Sequence, residues 1–154
     1  RNVEEELEHI EAYIRIQKLR YGEEAFSFEA TMDGDIGEWK VPSLLLQTLV
    51  ENSVVHGVSL DRKSEISLYL TNETYEDGEY LYICISDTGN GFRKEALDAI
   101  EHDTPIIYHG RHHVGISNIK RRLALMYGER ASITCSNMDE NYGAVVEVRL
   151  PKTE

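Results

Sequence analysis

Val50-Glu51-Asn52-Ser53-Val54-Val55-His56-Gly57 is the stretch whose reading decides this chain. It ends a segment, Pro42 to about Gly57, that reads as a helix with Ser43 as its N-cap. At about 100° per residue, Gln47, Thr48, Glu51, Asn52 and His56 fall on one arc, and Leu46, Leu49, Val50 and Val54 fall on the other. Asn52 and His56 form an i,i+4 pair on the same helix surface. A polar arc is ordinarily a solvated face, but this one holds no Lys, no Arg and no Glu–Lys pair. An amide, a carboxylate and an imidazole suit metal and phosphate chemistry.

Two more segments stand out. In Ser86-Asp87-Thr88-Gly89-Asn90-Gly91-Phe92, Asp87 continues the face of Leu81, Ile83 and Ile85 at the end of a strand. A carboxylate there is costly unless it meets a donor, and the glycines after it permit tight turns and close approach of a ligand. In Gly110-Arg111-His112-His113-Val114-Gly115-Ile116-Ser117-Asn118-Ile119-Lys120-Arg121-Arg122-Leu123, Gly115 stands where a loop becomes a helix, and the free N–H groups of a helix start can hold an anion. Neither the GxxxxGK[ST] loop nor GxGxxG occurs in the sequence.

Outward from these segments, residues 2–21 read as a helix stopped by Gly22. Val3, Leu7, Ile10, Ile14, Gln17 and Tyr21 recur at heptad steps, so this helix is either amphipathic on its own domain or the end of a dimerising coil. Strands are predicted near 26–32, 65–72, 79–87, 132–137 and 144–150, with a turn at Asp77-Gly78 and helices over Lys94–Glu101 and Ile116–Tyr127. The loop between those helices, 102–114, carries Pro105, Gly110 and four histidines, His102, His109, His112 and His113; so long a loop is usually functional or mobile. Neighbouring His112 and His113 point apart in regular structure, and no Cys or paired carboxylates join them, so solvated loop residues are favoured over a metal site.

The strands alternate. Ile66, Leu68 and Leu70, then Leu81, Ile83 and Ile85, then Ile133 and Cys135, then Ala144, Val146, Val148 and Leu150 each share a face; Tyr69, Tyr80, Tyr82, Cys84, Thr134 and Glu147 take the other. This predicts an α/β sandwich, one sheet under a layer of helices. Cys84 and Cys135 fall on opposite faces, which argues against a bridge.

With 16 Lys plus Arg against 28 Asp plus Glu in 154 residues, the formal charge is −12. Such acidity argues against a nucleic-acid partner and against direct contact with an anionic membrane. It leaves nucleotide binding open, because local donors and a metal hold a mononucleotide. An apolar fraction of 41% supports a real core. The best apolar run, Leu44 to Val50, is too short to span a bilayer. The chain opens on Arg1, with no signal peptide, and reads as a piece of a longer protein in a reducing compartment.

Together, in this order, the three segments resemble the N, G1 and G2 boxes of the ATP-binding fold shared by histidine kinases, type II topoisomerases, heat-shock chaperones and mismatch-repair ATPases. Val41-Pro42 through Gln47, Leu49 through Asn52, His56-Gly57, Ile16 through Gly22, Asn118 through Leu123 and Tyr127-Gly128 are similar to sensor histidine kinases of the LytS/YesM type. The resemblance implies a two-layer sandwich of the Bergerat type, a mixed sheet covered by helices on one face. It implies the end of the dimerisation helix at 1–22 and an ATP-binding catalytic domain at 23–154. It further implies ATP and Mg²⁺ as cofactors, with the kinase's own phosphoacceptor helix and a response regulator as partners, in the cytoplasmic part of a membrane-anchored sensor.

By the same resemblance, Asp87 accepts a hydrogen bond from the adenine amino group, Gly89 and Gly91 shape that pocket, and Asn52 ligates Mg²⁺. Glu51 orients water or a donor near the metal, and His56 lies near the phosphates. Gly110 and Gly115 belong to the lid and phosphate cradle, with Asn118 in reach of phosphate or metal. Departures from the family pattern are His113 in place of a lid glycine, Val55 where many relatives carry Lys, and Gly143-Ala144 where Gly-Thr is common. The phosphoacceptor histidine of such kinases lies upstream of this chain. Two rivals stay open: a serine kinase or ATPase on the same fold, such as an anti-sigma factor, and a degenerate module that only holds a partner.

Overall fold

Strict alternation of branched apolar and polar residues gives the chain a sheet with one greasy face. The computed structural model describes residues 1–59, 61–102, 114–139 and 142–153. Five strands occur: β1 (Phe26–Asp33), β2 (Ser64–Tyr75), β3 (Gly78–Asp87), β4 (Ser132–Asp139) and β5 (Tyr142–Pro151). Their order across the sheet is β1-β2-β3-β5-β4; β1 and β2 are parallel, and every other pair is antiparallel. Register places Leu68 opposite Ile85, Leu70 opposite Ile83, and Ile83 opposite Val148, so one face is continuous across three strands. Against this face lie α1 (Val3–Tyr21), α2 (Leu45–Gly57), α3 (Lys94–Glu101) and α4 (Val114–Tyr127).

The other face keeps polar groups in mutual contact. Tyr82 donates its hydroxyl to Glu147, and the Arg149 guanidinium stacks 4.7 Å from the Tyr82 ring centroid. Cys84 sits on this outer face and Cys135 on the helix side; both are free thiols, and burial pushes Cys135 up to about 12.

α1 is capped at its start by Asn2. Asn2 Oδ1 accepts from Glu5 N–H at 2.9 Å, and Glu5 Oε1 accepts from Asn2 N–H at 3.1 Å, a reciprocal capping box. Gly22 ends it at φ 104. The heptad-spaced Val3, Ile10 and Ile14 are buried in the core shared with α2 and the sheet, with Leu7 and Tyr21 partly covered beside them.

The start of α2 differs from expectation. Ser43 is not its cap: Leu44 is, at φ 66, with no side-chain hydrogen bond of its own. The missing acceptor comes from Glu6 on α1, whose carboxylate receives Leu44 N–H at 3.1 Å and Leu46 N–H at 3.2 Å. Local sequence cannot show a cap supplied from 38 and 40 residues away. α4 starts at Val114 rather than Ile116, which puts Gly115 inside its first turn. Gly110 and His109, His112 and His113 lie outside the described residues.

Because α1's seam is used within this core, Ile10→Ala should lower stability by about 2–5 kcal/mol in urea unfolding. Leu19→Ala, at a side chain that is 88% exposed, should stay within about 0.5 kcal/mol. Equal effects would contradict the packing of α1 on this core.

Candidate functional site

Asp87 ends β3 on the apolar face, opposite Ile66, and is 2% exposed. Burial pushes its carboxyl above the ordinary carboxylate range; the Gly89 and Ala144 N–H groups and the Ser53 hydroxyl pull it back. The Gly89 N–H reaches Oδ1 at 2.9 Å. A carboxylate accepts about four hydrogen bonds, so these three donors leave capacity for another.

Backbone closes in around it. A Cβ on Gly57, the last residue of α2, would lie 2.7 Å from Asp87 Cγ. One on Gly89 would lie 2.7 Å from Gly57 Cα. Both positions therefore need glycine, and both keep side-chain bulk away from the carboxylate. The loop after β3 is pinned twice: Gly143 N–H donates to Gly89 O at 2.8 Å, and Asn137 on β4 grips Phe92. Asn137 Oδ1 accepts from Phe92 N–H at 2.7 Å and its Nδ2 donates to Phe92 O at 2.9 Å. Gly91, at φ 76 and packed on Asn137, makes the turn into this clamp.

The polar arc of α2 is half-buried. Gln47 Nε2 donates to Glu51 Oε1 at 2.9 Å, fixing that carboxylate. Glu51 also stands near Tyr13 of α1, whose phenol is pushed up to about 12 by burial and then by the Glu51 charge. Asn52, half-buried, makes no hydrogen bond to the described residues. His56 follows one turn later, also half-buried. On α4, a Cβ added at Gly115 would meet, among the described residues, only the Thr48 methyl of α2, at 3.9 Å. Nothing among the described residues forces glycine there. Asn118, one turn on, is exposed.

The structure thus brings Asp87, Gly89 and Gly91 together at one end of α2, with Gly115 beside Thr48 near its other end and Glu51, Asn52 and His56 between. A concavity of about 940 Å³ lies between α3, α4 and β4 and, among the described residues, shares Phe92 and Asn137 with this site.

Two contributors escaped the sequence reading: Ser53 and Asn137. Ser53 lies four residues after Leu49 on the apolar arc, and Asn137 continues the inward face of Ile133 and Cys135, so a polar residue at an apolar position was the available signal. Thr48 was already on the polar arc of α2, but its approach to Gly115 depends on where α4 begins.

Residues 41–154 match the profile of the family described as Histidine kinase-, DNA gyrase B-, and HSP90-like ATPase. Sensor protein LytS of Oceanobacillus iheyensis is 31% identical over 148 residues, which are 95% of this chain and 24% of that protein. Sensor histidine kinase YpdA of Escherichia coli K12 is 31% identical over 132 residues, 83% of this chain and 21% of that protein. The chain therefore spans between 21% and 24% of the length of these curated relatives. The nucleotide-free catalytic domain of histidine kinase ThkA superposes with a TM-score of 0.72 at 16% identity, covering 99% of this chain and 94% of that one. ThkA in complex with response regulator protein TrrA gives 0.65 at 15% identity, covering 99% and 41%. Those identities speak for the fold. Since the profile covers well over half of the sequence, the chain belongs to the histidine kinase-, DNA gyrase B- and HSP90-like ATPase family.

Proposed function

We propose that this chain is the ATP-binding catalytic domain of a two-component sensor histidine kinase, transferring the γ-phosphoryl of ATP to a histidine outside it. Asp87 carries the reading: a buried carboxylate with spare acceptor capacity, packed closely by the backbone of Gly57 and Gly89. Such a group matches the exocyclic amino group of adenine, which donates and would otherwise find no acceptor in an apolar wall. Ser53 strengthens the case, because it brings a hydroxyl to Asp87 where Ala144 brings none. That weighs against a degenerate module.

The remaining residues fit the rest of ATP. Gly89 and Gly91 shape the base pocket. First-turn N–H groups around Gly115 would face the phosphates, as free amides at a helix start can hold an anion. Asn52 offers a hard carbonyl oxygen without a partner among the described residues, which suits Mg²⁺, an ion that takes few protein ligands beside phosphates and water. Bound there, Mg²⁺ would neutralise phosphate charge. Glu51, oriented by Gln47, and His56 would act near the transferred group, with Asn118 at the margin. Gly110 would belong to the lid. Asn52 and the amides around Gly115, which carry no formal charge of their own, let an acidic chain accept a polyanion.

α1 would be the end of the dimerisation helix at 1–22, seated on the catalytic domain at 23–154. The partners would be the phosphoacceptor helix of the same kinase and a response regulator, a kind of protein with which ThkA has been captured. No described helix is long and apolar enough to cross a membrane. The sensor relatives support a place on the cytoplasmic side of a membrane-anchored protein.

Asp87→Asn should lower Mg-ATP affinity by more than about tenfold in calorimetry, since a hydrogen bond to a charged group is lost. The ligand-free protein should respond differently. Asp87 has a raised carboxyl pKa in the fold, so wild type carries a penalty that is absent below the ordinary carboxyl pKa and grows as pH rises through the raised value. Thermal melts between about pH 3.5 and about pH 7 should show Asp87→Asn gaining on wild type with rising pH. A variant that binds normally would refute the adenine role. Incubated with Mg-ATP, the chain alone should form no acid-labile phosphate; phosphohistidine at any of its six histidines would overturn the assignment of the acceptor to another segment.

A further inference from the structure

α2 begins without a cap of its own. Leu44 holds φ 66, a left-handed conformation rare for a bulky residue, and no side chain of its segment bonds the first free amides. Both oxygens of Glu6 do so instead, Oε2 to Leu44 N–H and Oε1 to Leu46 N–H. Glu6 is fully buried among the apolar residues of α1, with Arg1 Nη1 at 3.1 Å from Oε2. A buried carboxylate persists there because it meets two N–H donors, a guanidinium and the positive end of α2. From the opposite side, Arg122 of α4 donates from Nη2 to Ser43 O at 2.7 Å. Three helices therefore meet at the four residues Ser43 to Leu46.

Immediately beyond that joint along α2 lies the phosphate end of the site. Thr48 Oγ1 bonds back to Leu44 O at 2.7 Å, and its methyl is the group nearest Gly115. Asn52 lies one turn on. The far end of α2 is held separately: Gly57 packs on Asp87 and Gly89, and its carbonyl accepts from Ser64 Oγ.

We propose that Glu6 and Arg122 are positioning residues for the phosphate half of the nucleotide site: Glu6 sets the first turn of α2 from α1, and Arg122 ties that turn to α4. A shift of α1 is then passed to Thr48, Asn52 and Gly115, while the adenine half stays in place. The helix that enters the domain thereby controls phosphate binding apart from base binding. This rests on reading the site as one for ATP.

The test compares two ligands on the chain. Adenosine needs the Asp87 end only; Mg-ATP needs both ends. Wild type, Glu6→Gln and Arg122→Gln are titrated with each, by calorimetry for Mg-ATP and by NMR for adenosine. Both variants should bind Mg-ATP about tenfold more weakly, the loss of one charge-assisted hydrogen bond, and adenosine within about twofold of wild type. A role in stability alone would weaken both ligands alike. Should Glu6→Gln not fold, Arg122→Gln, at a half-buried residue, carries the comparison. Equal loss of both ligands, or loss of neither, overturns the joint while leaving the ATP reading intact. Wild type that binds neither ligand overturns the ATP reading and this proposal with it.

Discussion

A carboxylate with 2% exposure at the end of an apolar strand face is the constraint on which the rest of this domain is arranged. Left alone in such a place, Asp87 would cost several kcal/mol or take up a proton. It is tolerated because donors converge on it from three directions: the loop after β3 through Gly89, the start of β5 through Ala144, and α2 through Ser53. Each requires an approach that side chains would block. Gly57 and Gly89 meet backbone to backbone, and Gly143 bonds to Gly89 O. The packing that satisfies the charge is therefore the packing that joins α2, β3 and β5. Partial satisfaction leaves an acceptor for a ligand, at a cost to the empty protein that binding relieves.

The second constraint is the position of α2. It is the one helix with neighbours on β2, β3 and β5 as well as on α1 and α4. Its apolar arc, Leu45, Leu46, Leu49, Val50 and Val54, is buried, so its polar arc faces the site by default. Its N-terminal turn depends on Glu6 and Arg122, and its C-terminal turn on Asp87 and Ser64. A helix held at two ends by different partners can report on them separately. On the proposed reading, a shift of α1 would reach the phosphate half of the site without disturbing the base.

Most of this architecture was legible in the sequence, for identifiable reasons. Period-two alternation in β2, β3 and β5 fixed which residues face inward, and the structure keeps that assignment down to Asp87. Gly22 marked the end of α1, and Lys94–Glu101 was bounded as observed. The start of α2 was misread, because Ser43 carries a favourable capping side chain whereas the acceptor used comes from Glu6. Contacts of that range leave one trace in a single sequence, a charged or polar residue on an apolar arc. Glu6 between Val3 and Ile10, Ser53 after Leu49 and Asn137 after Cys135 all show it, and all three proved to hold backbone or carboxylate near the site. The roles assigned to Asn52, His56 and Asn118 concern a ligand and stay proposals.

The central claim is that Asp87 receives the adenine amino group as a charged acceptor. The most direct measurement is the titration of the Asp87 carboxyl carbon by NMR, with and without a saturating non-hydrolysable ATP analogue. If the nucleotide selects the ionised form, linkage requires the Asp87 titration to move to lower pH in the complex, from a value above the ordinary carboxylate range in the free protein. A bound nucleotide that leaves this titration unchanged, or moves it to higher pH, would contradict the account.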